Sequence, residues 1–75
     1  MTLDRLSLGR PARVLELSGA PDLVQRLYEL GLFEGEEVEV LAIAPLGDPV
    51  EIRCGAGRLS LRKIEAAGVR VAESA

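Results

Sequence analysis

From Val50 to Leu61 the sequence leaves little choice of structure. Val50, Ile52 and Cys54 alternate with Glu51 and Arg53, and Leu59 and Leu61 alternate with Arg58, Ser60 and Arg62. Alternation with a period of two marks strands that bury one face. Between the two runs stands Gly55-Ala56, a two-residue loop with glycine first, as a type II′ turn prefers. Closing a hairpin there pairs Cys54 with Gly57, Arg53 with Arg58, Ile52 with Leu59 and Val50 with Leu61. Every apolar residue then falls on one face, whereas a slip of one residue would send them to the other. The chain must bury one face of an antiparallel sheet.

Glycine and proline cut the remaining residues into short elements. Leu3, Leu6 and Leu8 form an apolar lead-in that ends at Gly9-Arg10-Pro11. Ala12–Leu17 reads as a strand whose two faces do not separate cleanly. Pro21 suits the first turn of a helix, where its missing N–H costs nothing. Leu23, Leu27 and Leu30 then follow at i, i+4 and i+7, with Val24 broadening the stripe and Gly31 as a left-handed terminator. This predicts a short amphipathic helix over Pro21–Leu30. Glu36–Ala44 is the longest strand, and its apolar run Leu41-Ala42-Ile43-Ala44 predicts an end covered on both sides. Pro45–Pro49, carrying Gly47-Asp48, is a tight turn. Lys63–Ala67 predicts one helical turn closed by Gly68, and Val69 and Val71 predict a last strand before a frayed Glu73–Ala75 tail. The pattern predicts one mostly β domain over residues 1–75. It is a small SH3-like barrel of about five strands, with one short amphipathic helix and one helical turn.

Composition narrows the chemistry. One Phe, one Tyr and no Trp require an aliphatic core. The absence of histidine removes Ser-His-Asp and Cys-His nucleophile systems. A single cysteine, Cys54, allows neither an intrachain disulfide nor a zinc site built from Cys and His. There is no GxxxxGK[ST] loop, and Gly55-Ala56-Gly57 lacks the helix a phosphate site would need. The expectation is a protein that is not an enzyme, with no cofactor and no specified metal site. Glu36, Glu37 and Glu39 could hold Fe²⁺ or Mn²⁺ only loosely through oxygen. A net charge of −3 argues against nucleic acid binding by bulk charge. No apolar run approaches the ~20 residues of a membrane span. Met1–Arg10 has no signal-peptide core, which predicts a cytoplasmic protein.

Three stretches carry a family resemblance: Arg26-Leu27-Tyr28-Glu29-Leu30-Gly31-Leu32 with Gly35, Val38 and Val40; Ala44-Pro45-Leu46-Gly47-Asp48-Pro49; and Leu59-Ser60-Leu61-Arg62-Lys63 with Glu65 and Ala66. In this order, and over nearly the whole chain, they resemble the FeoA family of small cytosolic proteins encoded with the bacterial ferrous iron transporter FeoB. The family often has Pro before the glycine that opens the long strand; here Glu34, preceded by Phe33, takes that place. The resemblance implies an SH3-like fold and a non-enzymatic accessory role, docking on the cytosolic part of a FeoB-like transporter to influence its assembly or gating. A similar SH3-like domain is fused to the C-terminus of iron-dependent repressors, so a transition-metal-responsive module is one alternative. A scaffold that forms homo-oligomers through its barrel edges is another.

The residues expected to touch a partner are Leu46, Gly47 and Asp48 of the proline-bounded turn, Arg53, Arg58 and Arg62 on the polar face of the hairpin, and Phe33. A rigid turn loses little entropy on binding, and a leucine at its tip offers apolar contact. Arg53 opposite Arg58 is mildly destabilising unless an anion compensates, and Glu51 on the same face can do so. Two aromatics, Tyr28 and Phe33, cannot build the aromatic groove that grips polyproline ligands.

Overall fold

The computed structural model describes residues 1–55 and 57–74. A single 3₁₀ turn, Leu3–Arg5, precedes strand β1 (Pro11–Leu17), helix α1 (Pro21–Glu29), strands β2 (Glu37–Ile43), β3 (Val50–Cys54) and β4 (Gly57–Leu61), helix α2 (Lys63–Ala66) and strand β5 (Val69–Glu73). The strands form one antiparallel sheet in the order β4-β3-β2-β1-β5. Among the described residues β4 and β5 do not pair, so the sheet curls into an open barrel rather than a closed one. Among the described residues no helix is long and apolar enough to cross a membrane.

The hairpin has the predicted register: Cys54 opposite Gly57, Arg53 opposite Arg58, Ile52 opposite Leu59 and Val50 opposite Leu61. Gly55 adopts φ +59°, as the first position of a primed turn requires. Ala56, the second loop residue, lies outside the described residues, as does Ala75 of the tail; Glu73 is still strand.

Helix α1 ends at Glu29, one residue before the predicted limit, with Leu30 as its cap. Gly31 turns left-handed at φ +99°, its N–H reaches the Tyr28 carbonyl, and the Leu32 N–H reaches back to Leu27. This paired closure satisfies the last helical carbonyls and packs Leu32 beside Leu27, both fully buried. Leu23, Val24, Tyr28 and Leu30 are half-buried against the core. That core is aliphatic, as composition demands: Leu3, Val14, Leu27, Leu32, Val38, Val40, Ile52, Leu61, Val69 and Val71 are each at most 1% exposed. Of the lead-in, Leu3 and Leu6 are buried and Leu8 is not.

Two bulges reshape the sheet. In β1 the register against β5 shifts between Val14 and Glu16, leaving Leu15 as an extra residue. That is why Ala12, Val14 and Leu17 face the core although no strict alternation links them. In β2 the register against β3 shifts between Val40 and Ala42, around Leu41. The expectation that Leu41–Ala44 is covered on both sides is wrong. Beyond the bulge the strand turns away from the core: Leu41 and Ala44 are half-buried, Ala42 is exposed, and Ile43 is 48% exposed. Gly68 follows α2 as expected but without a positive φ. A Cβ there would lie 2.5 Å from the Ser18 carbonyl oxygen, so close approach is what requires glycine.

Candidate functional site

The proline-bounded turn is held by backbone bonds on every side. The Ala44 N–H reaches the Pro49 carbonyl at 3.1 Å, and the Gly47 N–H reaches the Ala44 carbonyl at 2.7 Å. Gly47 has φ +88°, a conformation that side chains resist. The peptide between Asp48 and Pro49 is cis. Asp48 also has a role within the fold: its Oδ1 accepts the Lys63 N–H at 3.0 Å, fastening the turn to the first residue of α2. Leu46 projects from this braced turn and is 97% exposed.

Helix α2 is only four residues long and depends on outside partners. Glu65, 7% exposed, accepts the Arg62 N–H at 2.8 Å and Arg26 Nε at 2.6 Å. The Arg62 N–H, then burial working against it, then Arg26 set the Glu65 carboxyl, which is held below the usual carboxylate range. Burying Glu65 and Ala66 turns Ile64 outward, where it is 75% exposed. Ile43, paired with Val50 where the turn begins, adds a third exposed aliphatic side chain at this end of the sheet. Beside it a shallow cleft of about 210 Å³ is lined by Ala42, Ile43, Ala44, Pro49, Glu51 and Ser60. That is less than the roughly 300–1,000 Å³ of small-molecule sites.

The other predicted residues lie elsewhere. Arg53 is the last residue of β3 but one, toward the hairpin tip, and its Nη2 meets Glu39 at 2.9 Å and Glu37 at 3.9 Å. The hydrogen bond to Glu39 holds its guanidinium proton more firmly than usual. Arg58 meets Glu51 at 3.3 Å. Arg53 and Arg58 therefore form a mixed-charge face with glutamate partners. Phe33, 51% exposed, leans on Tyr28 with ring centroids 5.7 Å apart. Tyr28 donates to Glu34 at 2.6 Å, which raises the phenol's pKa and lowers that of the carboxyl. Glu34, standing where the related family often has Pro, thus has a tether of its own. Cys54 faces inward, donates to the Gly31 carbonyl at 3.4 Å, and has its thiol pushed up by burial first and by Glu36 second. Among the described residues no three Cys, Asp or Glu side chains gather as a metal cluster.

The structure therefore splits the predicted set. Leu46, Gly47, Asp48 and Arg62 gather where β3 begins and β4 ends. Phe33, Arg53 and Arg58 lie toward the hairpin tip, up to about 13 Å away by the rise of β3. Ile43 and Ile64 belong to the first group and escaped the sequence reading. For Ile64 hydropathy points the wrong way, because it is its neighbour Glu65 that is buried. For Ile43 there was no signal, because the bulge that turns it out leaves no mark in composition.

Comparison with known proteins follows this geometry. The FeoA domain profile matches residues 1–73. A fusion of Fe(2+) transport protein A with the Fe(2+) transporter FeoB, from Porphyromonas gingivalis, is 34% identical over 71 residues; these are 95% of this chain and 8% of that protein. The solution structure of FeoA from Chlorobium tepidum superposes with a TM-score of 0.91 at 40% identity, over all of this chain and 71% of that one. FeoA from Stenotrophomonas maltophilia, a prokaryotic SH3 domain protein seen in complex with zinc, gives 0.84 at 39% identity, over 96% and 89%. A manganese-dependent transcriptional repressor shares the fold alone, with a TM-score of 0.90 at 17% identity over 99% of this chain and 36% of its own. With a profile spanning all but its last two residues and full-length structural matches at about two fifths identity, this chain belongs to the FeoA domain family.

Proposed function

We propose that this domain is a non-enzymatic accessory of ferrous iron transport that works in the cytoplasm by docking on the cytosolic part of a FeoB-like transporter. The observation that carries the reading is Leu46: a leucine 97% exposed on a turn whose backbone is braced at both ends. Exposed apolar groups on a rigid mount bind with little ordering cost, and Ile43 and Ile64 extend the contact. The relative that joins a related segment to a FeoB transporter in one polypeptide supports the choice of partner. The lack of histidine and the buried thiol of Cys54 argue against nucleophilic chemistry. Arg62, exposed beside α2, supplies a cation at the rim of the apolar contact, which steers encounter more than it holds the complex.

Isothermal titration of the domain against the cytosolic region of its transporter tests this. It should be run with GDP and with a non-hydrolysable GTP analogue, each with and without Fe²⁺. Saturable binding in any condition is expected, and a nucleotide preference identifies the transporter state the domain stabilises. Heat signals arising only from Fe²⁺ with the isolated domain would favour a metal-responsive module instead.

A further inference from the structure

The two edges of the sheet differ. The outer edge of β5 is occupied: Met1 and Val71 exchange backbone hydrogen bonds at 2.8 and 3.3 Å, and Thr2 bridges Arg70. Among the described residues nothing covers the outer edge of β4 in this way. The pairing parity follows from β2, whose Val40 carbonyl is taken by the Gly9 N–H on the β1 side. Ile52, opposite Val40, therefore bonds across to Leu59 on β4. Arg58 and Ser60, the alternate residues, turn their N–H and C=O groups outward, and no backbone group among the described residues meets them.

We propose that this edge pairs with the β4 edge of a second copy of the chain, antiparallel and centred on Leu59. Three features select that occupant and register. Centring on Leu59 places each outward-bonding Arg58 opposite Ser60 of the other copy, which allows four backbone hydrogen bonds with no like charges apposed. Centring on Arg58 would set arginine against arginine, and centring on Ser60 would set Arg58 against Arg62; both are repulsive. Next, Leu59 is the half-buried edge residue of the inner face, and its counterpart would cover the side that the core leaves open. Finally, Glu51 lies opposite Ser60, so Glu51, Ser60 and the second copy's Arg58 fall in one row across the sheet. The small serine leaves that arginine a path to Glu51, which already holds its own Arg58 at 3.3 Å. Two glutamates and two arginines alternate in the joined sheet. A five-residue strand contact stays below the roughly 1,200 Å² of stable interfaces, so the dimer forms and dissociates with concentration.

Sedimentation velocity and amide NMR spectra of the full chain, from micromolar to millimolar concentration, test the pairing. The average mass is expected to rise toward the dimer, with the amide signals of Gly57–Leu61 moving most. Ser60→Pro removes one outward N–H at an edge position where proline is tolerated, and should weaken the dimer by about tenfold or more with the monomer fold intact. Should that variant unfold, Ser60→Arg keeps the monomer ladder, sets like charges opposite each other in the proposed register, and should weaken the dimer likewise. A monomer at every concentration overturns the proposal. So does a dimer indifferent to the folded variant, or one whose shifts map to Leu46 and Ile64. Shifts along β4 that appear only when the transporter region is added would overturn it too, giving the edge to that partner.

Discussion

The two ends of β3 solve opposite problems. Toward the hairpin tip, side chains satisfy one another: Arg53 with Glu39 and Glu37, Tyr28 with Glu34, Phe33 against Tyr28, and Cys54 on the Gly31 carbonyl. Where β3 begins, the turn and helix are fastened to each other while apolar side chains point outward. The turn and α2 are bonded through Ala44, Gly47, Asp48, Arg62 and Glu65, while Leu46 and Ile64 stand in water and Ile43 is about as exposed as Phe33. A scattered exposed leucine is ordinary. Three exposed aliphatic residues on elements fastened to each other are not accounted for by folding, and the proposal that docking uses the second end rests on this difference.

The sharpest way to break the comparison is to make the same truncation at two leucines near that end. Leu61→Ala removes a fully buried side chain and should cost about 2–5 kcal/mol in urea unfolding. Leu46→Ala should stay within about 0.5 kcal/mol in the same measurement. Next in size, Glu65→Ala leaves the Arg62 N–H without its acceptor and should cost about 1–3 kcal/mol. Because the folded carboxyl titrates below its unfolded value, its contribution is complete above the unfolded pKa and fades as pH falls through the folded one. Wild type and Glu65→Ala should therefore converge in stability on acidification. Asp48→Ala frees the Lys63 N–H and should cost about 1 kcal/mol, as losing a helix cap does. It should also weaken docking, because the turn and Ile64 lose their common fastening. Smallest of all, Arg53→Ala breaks a partly exposed, solvent-screened pair and should leave the urea midpoint almost unchanged, with transporter binding unaltered.

How far the sequence foretold these ends differs as well. The hairpin register was legible to the residue and α1 to within one residue, because each carries local signals that agree. Alternation meets a Gly-led turn in one, and a leucine stripe meets Pro21 and Gly31 in the other. The docking end was half legible. Pro45, Gly47 and Pro49 announce a rigid turn, and Leu46 at its tip is visible without a structure. Ile43 was misread because the bulge at Leu41 reverses which face is covered, and a bulge is fixed by how two strands meet. Ile64 was missed because hydropathy favours burying it over Glu65. Glu65 is buried instead because Arg26, on another helix, supplies its counter-charge. The bond from the Lys63 N–H to Asp48 went unforeseen for the same kind of reason: it depends on a contact no local pattern encodes.

The central claim is that the end carrying Leu46, and not the hairpin tip, meets the transporter. Amide chemical-shift mapping of the labelled domain, titrated with the transporter's cytosolic region, tests it directly when wild type, Leu46→Ala and Phe33→Ala are compared. Shifts should concentrate at Ile43–Val50 and Lys63–Ile64, with affinity lost about tenfold or more in Leu46→Ala and kept in Phe33→Ala. Shifts around Phe33, Glu34 and the hairpin tip, with Leu46→Ala binding as wild type does, would contradict the account.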